Sequence, residues 1–456
     1  MRLLEEWINR LDEIVWGPGL LCLMLGTGIY LMLRLRFLPV RELKRALGYV
    51  FGGQTNHSGE GVSPLSALTT ELAATIGTGN IVGVATAMVL GGPGALFWMM
   101  VSSLLGMSTK LVESMLSVKY REKNDKGEAA GGPMYTLRAA FPLKKIGAKL
   151  GVIYAFFAVL ASFGMGNMVQ SNSIAAALHT SFHWDVRKIG MVLCIVTILV
   201  VLGGVKSVTR VTGILVPFMG LFYLMGCSWV ILIHLDKLPF ALIGILEAAF
   251  APQALRGGLF GSVTVSVMQS LRWGVSRGVF SNEAGLGAAG ISAAAAHTDD
   301  PVRQGYISMT GVFLDTMVIC LISGLTLAVS GVLGGGSAEG MGADGTAMII
   351  AAFEGSLGGF GSTFVSISIT LFAFATIIGW AYQGEKAFEF IAGGSGKCIW
   401  YRMIYGLTTF VGAVCSLQLV WNFSDICNGL MAIPNLLCVL VLSGEACREI
   451  LRYKPI

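Results

Sequence analysis

Between Ala73 and Val84 the chain reads Ala-Ala-Thr-Ile-Gly-Thr-Gly-Asn-Ile-Val-Gly-Val, placing three glycines and an asparagine inside an otherwise apolar stretch. Each glycine costs a helix interior about 1 kcal/mol relative to alanine, so a helix is expected to break here. A break frees backbone groups. The amides of Thr78 and Gly79 would then hold a carboxylate, helped by the partial positive charge of a half-helix starting near Asn80. The carbonyls of Ala73, Thr75 and Ile76, with the Asn80 side chain, offer hard oxygens suited to an alkali cation. The plainer role for Asn80 is a helix cap.

A second interrupted stretch runs Phe280-Ser-Asn-Glu-Ala-Gly-Leu-Gly-Ala-Ala-Gly290. Phe280 joins the candidate substrate contacts, and Ser281 the candidate cation ligands. Asn167 and Gln170 stand one turn apart on one helix face, able to meet a ligand or a neighbouring helix. Thr376 and Trp380, four residues apart, pair a hydroxyl for a cation with an indole that walls off a small side chain. The alternative is a back-bonded threonine and an interfacial tryptophan. Arg277, Glu283 and Asp315 are charges at depth, fit either for ion binding or gating or for neutralising one another as a structural network. Glu71 and Glu113 fall near predicted span ends, and Arg272 can snorkel. All five histidines lie at span ends or in loops, which argues against a buried metal site or proton relay.

The elements that position these residues are membrane spans. The chain is 54% hydrophobic and 12% charged, against roughly 25% charged for a soluble protein. Apolar segments recur at 15–35, 64–91, 94–118, 151–178, 189–203, 211–234, 262–296, 303–332, 361–391, 400–420 and 424–443, predicting an all-α polytopic protein of 11 transmembrane helices. The tract 238–260, interrupted by Pro252, reads as amphipathic surface helices, and 334–346 as a flexible loop. The start lacks the features of a signal peptide, and the nine cysteines read as free buried thiols. Arg34 to Arg45, Lys119 to Lys149, Lys206, Arg210 and Arg448 to Lys454 fall on one side of the eleven spans, while 333–360 has no Lys or Arg. The amino terminus is therefore expected outside and the carboxyl terminus in the cytoplasm of a cell (inner) membrane. Setting aside 15–35 leaves two sets of five, 64–234 and 262–443, each opening with an interrupted helix. Interrupted segments at matching positions of two halves point to an inverted-repeat transporter, although close packing through small residues also enriches glycine.

In this order the chain carries Thr75-Ile-Gly-Thr-Gly-Asn80-Ile, Gly91-Gly-Pro-Gly-Ala-Leu-Phe-Trp98, Gly106-Met-Ser-Thr-Lys110 with Glu113, and Gly131-Gly-Pro-Met-Tyr135. Gly166-Asn-Met-Val-Gln170-Ser-Asn172, Arg277-Gly-Val-Phe-Ser-Asn-Glu-Ala-Gly285, Phe313-Leu-Asp315-Thr and Thr376-Ile-Ile-Gly-Trp380 follow. Together these segments resemble the alanine or glycine:cation symporter family, also called the sodium:alanine symporters. The resemblance implies a leucine-transporter-type 5+5 inverted repeat preceded by one extra helix, and sodium-driven uptake of alanine and glycine. It implies that Thr78 and Gly79 hold the substrate carboxylate and that Gln170, Thr376 and Trp380 line the pocket. It also implies a sodium ion on the carbonyls of Ala73 and Ile76 and the Thr376 hydroxyl.

The expected mechanism is alternating access without covalent chemistry, so neither an enzyme nor an organic cofactor is expected. The expected partners are amino acid, sodium and the lipid bilayer, without nucleic acid, and the expected working unit is a monomer. Competing readings keep the fold but change the solute, to serine or a nucleobase, or replace sodium by protons. A channel is a further class, disfavoured because the polar clusters form no ring.

Overall fold

The computed structural model describes residues 2–51, 63–250, 266–334 and 344–453. An amino-terminal helix α1 (Arg2–Val15) leads into α2 (Pro18–Arg34), followed by the short α3 (Leu38–Arg41) and α4 (Leu43–Phe51). The first interrupted span is α5 (Pro64–Thr75), a π-helical turn at Gly79–Gly83, and α6 (Val84–Leu90). Next come α7 (Gly94–Lys119), a two-stranded antiparallel hairpin β1 (Glu122–Lys123) and β2 (Ala129–Ala130), and α8 (Pro133–Ala140). The span α9 (Lys144–Phe163) continues through a π-helical turn, Gly164–Met168, into α10 (Val169–Phe182). Then follow α11 (Val186–Leu202), α12 (Gly204–Ile233) and α13 (Leu238–Phe250). The second half runs α14 (Val267–Asn282), α15 (Ala288–Ala294), α16 (Pro301–Val312), a π-helical stretch Phe313–Cys320 and α17 (Leu321–Ser330). It closes with α18 (Gly345–Leu357), α19 (Gly359–Ala392), α20 (Cys398–Val414) and α21 (Leu417–Arg452).

Seven described helices are long and apolar enough to cross a membrane, and the bent pair Ser66–Thr75 with Gly79–Leu90 raises this to eight. The other expected spans are also helical: α11 and α20 have 17 residues each, and α14 and α15 flank the second break. The boundary between the last two spans moves, because the chain turns at Cys415 and residues 417–420 belong to α21.

The polarity is inverted relative to a soluble protein. Ile214 is 73% exposed and Leu199 68%, whereas Glu71, Lys110, Glu283 and Asp315 are fully buried. Lipid accepts the apolar flanks, and charges survive at depth only where protein surrounds them. The long helix α7 is the hub, packed against α14, α16, α15, α2 and α13.

Two local expectations change. The described part of the tract 238–260 is apolar on both faces: Phe240, Leu242, Ile243 and Leu246 are exposed while Ala241, Ile245 and Ala249 are buried. Over Leu238–Phe250 the exposed face is thus mainly apolar, with Glu247 its exposed charge, rather than polar as an amphipathic surface helix requires, and Pro252 lies outside the described residues. The Lys- and Arg-free tract 333–360 contains α18, capped by Asp344, whose carboxylate accepts from the amides of Thr346 (2.9 Å) and Ala347 (3.3 Å). Its 13 residues are too few to span a bilayer, so a search for spans passes over it. Residues 335–343 of the expected loop lie outside the described residues.

Candidate functional site

Helix α5 stops at Thr75 because Ile76 leaves helical geometry, with ψ 88°, and the two halves meet at a 48° bend. The freed backbone groups are shared out among side chains. The Gly77 amide donates to Asn80 Oδ1 (2.8 Å), and the Thr78 amide donates to Gln170 Oε1 (3.1 Å). The carbonyls of Ala73 and Ile76 both face Thr376 Oγ1, at 3.0 and 3.4 Å. Helix α19 can come this close because residue 77 is glycine: a Cβ there would lie 2.2 Å from the Thr376 hydroxyl. Thr78 Oγ1 is buried and has no hydrogen-bond partner among the described residues.

The second break opens where Glu283 takes a left-handed conformation (φ 58°), followed by Gly285 and Gly287 at φ 89° and 78°. Here the loose groups are met by four different helices. Lys110 on α7 donates its ammonium to the Asn282 carbonyl (2.9 Å), where a cation also complements the carboxyl end of α14. Tyr154 on α9 donates to the Leu286 carbonyl (3.1 Å), and Asn435 on α21 to that of Gly285 (2.9 Å). The Trp380 indole on α19 donates to Glu283 Oε1 (2.6 Å).

Asp315, in the π-helical stretch, ties the two breaks together. Its carboxylate accepts from Asn80 Nδ2 (2.7 Å), Ser281 Oγ (2.8 Å) and Thr316 Oγ1 (2.8 Å). Phe280 stacks on Trp421 with ring centroids 4.8 Å apart, and a Cβ on Gly79 would come within 3.2 Å of its ring.

The structure thus brings Ala73, Ile76, Thr376, Thr78, Gln170, Phe280 and Gly79 around one centre, with Trp380 one turn beyond Thr376. The Thr75 hydroxyl donates back to the carbonyls of Glu71 (3.2 Å) and Leu72 (3.4 Å), so its carbonyl, the expected ligand atom, is what remains for a cation. Other residues are turned away. Asn80 gives its oxygen to the Gly77 amide and its NH2 to Asp315, so it works as a brace. Asn167 donates to the Tyr405 carbonyl (2.6 Å) on α20. Of the two alternatives for Arg277, Glu283 and Asp315, mutual neutralisation is not what forms at Arg277. Arg277 instead pairs with Asp425 and lies over the rings of Trp273, Phe280 and Trp421. Glu71 and Glu113 are not peripheral either. Glu71 meets Lys110 (3.4 Å) and Ser308 (2.8 Å), and Glu113 accepts from Asn435 (2.9 Å), all in the dry interior.

Sequence reasoning passed over Lys110 and Asp425. Lys110 lay inside a predicted span, where any charge signals a partner at depth. Asp425 stood at the edge of its predicted span, 424–443, where position alone gives no such signal. Above Arg277 opens a cavity of about 480 Å³ lined by Val82, Thr86, Trp273, Asp344 and Trp421 among others. Trp421 in its lining stacks on Phe280, whose ring faces Gly79 in the first break.

A helical membrane bundle in which two broken helices meet at a polar centre is the architecture of a secondary transporter. The comparisons place it further. The model of the sodium:alanine symporter family matches residues 1–455, and the chain belongs to that family. It is 47% identical over 450 residues to the sodium/alanine symporter AgcS of Methanococcus maripaludis, covering 98% of this chain and 97% of the relative. The probable sodium/glutamine symporter GlnT of Bacillus subtilis is 34% identical over 443 residues, covering 97% and 89%. Among solved structures, MhsT in complex with L-phenylalanine superposes with a TM-score of 0.64 at 14% identity, over 88% of this chain and 94% of that one. That likeness shows a shared fold of the leucine-transporter type. The protein is a multi-pass membrane transporter and a cation-coupled amino-acid symporter.

Proposed function

We propose that the chain imports small neutral amino acids, alanine and glycine, together with sodium by alternating access. The observation that carries this reading is the convergence of the Ala73 and Ile76 carbonyls on the Thr376 hydroxyl across α5 and α19. Three neutral oxygens from two helices suit an alkali cation, and a cation held there would clamp the broken helix to α19. In this reading Gln170 Oε1 stands at the Thr78 amide where a substrate carboxylate would sit, and the unpartnered Thr78 hydroxyl adds a second donor. Trp380 limits the side chain to a small one. The 47% identity to a relative named as a sodium/alanine symporter supports alanine over larger solutes.

Residues 64–234 and 262–443 form the two inverted repeats in this reading. The Lys and Arg distribution puts the amino terminus outside, so the 480 Å³ cavity opens outward. Sodium binding orders the first break and lowers the cost of ordering the amino acid. Both ligands together then favour occlusion and inward opening through their differential affinity for the two states. The membrane potential adds ~2.3 kcal/mol per charge per 100 mV.

Uptake of radiolabelled alanine into proteoliposomes tests the proposal. An inward sodium gradient should drive accumulation above equilibrium, and a proton gradient without sodium should not. Accumulation driven by protons alone overturns the sodium assignment, and equilibration without accumulation under any gradient overturns symport.

A further inference from the structure

Glu283 combines two unfavourable features. Its backbone sits at φ 58°, a conformation that suits glycine, and its carboxylate is fully buried. A non-glycine residue in this conformation costs roughly 1–3 kcal/mol and persists where its surroundings hold it there. What the side chain does is visible at its tip: Oε1 accepts from the Trp380 indole at 2.6 Å. The base of that tryptophan is also confined, since a Cβ on Gly166 would lie 2.3 Å from Trp380 Cβ and 2.5 Å from Cγ. The ring is therefore gripped between the π-helical turn at Gly164–Met168 and the second break. It stands one helical turn beyond Thr376, on the face that meets the first break.

We propose that Glu283 is a positioning residue that fixes the Trp380 indole and thereby sets the upper size limit of the substrate pocket. This rests on the pocket assignment proposed above. The backbone beside it is held from α7, because Lys110 donates to the carbonyl of the adjacent Asn282 (2.9 Å) and pairs with Glu71 (3.4 Å), while Glu283 Oε2 is buried with no hydrogen-bond partner among the described residues. The bond from Oε1 is therefore the contact through which the second break reaches the indole. Tilting the indole would lengthen the pocket along α19 and admit larger neutral side chains.

Sodium-driven uptake into proteoliposomes, with alanine and glutamine in competition, reads the size limit. Glu283→Gly suits the backbone and deletes the carboxylate. It should lower the preference for alanine over glutamine about tenfold, the weight of one hydrogen bond to a charged group, mainly through KM. Glu283→Gln keeps an oxygen acceptor and should hold the preference within about threefold of the parent. Trp380→Phe removes the same bond from its other end, and keeps the test readable if the glycine variant fails to fold. Combining Glu283→Gly with Trp380→Phe should add little to either alone. Trp380→Ala separates the two levels of the argument. If it shifts the preference while Glu283→Gly and Trp380→Phe do not, the role of Glu283 is overturned and the pocket stands. If Trp380→Ala also leaves the preference unchanged, the pocket assignment falls, and the role of Glu283 with it.

Discussion

The two breaks meet the same physical problem with different materials. At the first, neutral amides take up the loose backbone: Asn80 serves Gly77 and Gln170 serves Thr78. At the second, an ammonium, a phenol and an amide from three other helices do so, and the ammonium is paired with Glu71. A neutral hydrogen bond has a net worth of about 1 kcal/mol, so a ligand's own atoms can replace it. A buried charge stripped of its partner costs several times more. On the proposed function, the first break can therefore exchange partners with a ligand, whereas the second is held in place by charge. A transporter needs both, a place where atoms are traded and a frame against which the trade is felt.

Breaking the frame should have the largest effect. Lys110→Met leaves Glu71 uncompensated and the Asn282 carbonyl bare, and should lower stability by about 3–5 kcal/mol. Thermal unfolding in detergent would show it as a large fall in Tm whether or not alanine is present. A small fall would mean that the second break is as exchangeable as the first.

A smaller and conditional effect is expected at the first break. Gln170→Leu strands the buried Thr78 amide, costing about 1–3 kcal/mol in the ligand-free protein. If a substrate carboxylate takes that amide, alanine with sodium should restore part of the loss and raise Tm more in the variant than in the parent. An equal or smaller rise would separate Thr78 from substrate binding and remove the contrast between the breaks.

Much of this arrangement was legible in the chain. The glycines at 77, 79, 285 and 287 marked both breaks because Asn80 and Glu283 stand beside them, which close packing of small residues alone does not explain, and the opposition of Thr376 to the first break was implied by the family resemblance. The pairings between distant charges were not legible. Arg277 sits six residues from Glu283 in sequence, yet its partner is Asp425, 148 residues away and brought near only by the packing of α14 against α21. Asn167 illustrates the converse limit. Its amide suits a ligand or a neighbouring helix equally well, and residue type alone does not reveal that it turns to the Tyr405 carbonyl. Helix α18 escaped for a third reason: an apolar helix shorter than a span leaves no signal in a search for spans.

In the proposed function one sodium ion joins the broken helix to α19 through a single hydroxyl, that of Thr376. The sodium concentration giving half-maximal alanine uptake, measured for the parent, Thr376→Ser and Thr376→Val, tests it most directly. Serine should leave the value within about threefold, and the isosteric valine, lacking the oxygen, should raise it about tenfold or more. A valine variant with parental sodium dependence would contradict the claim.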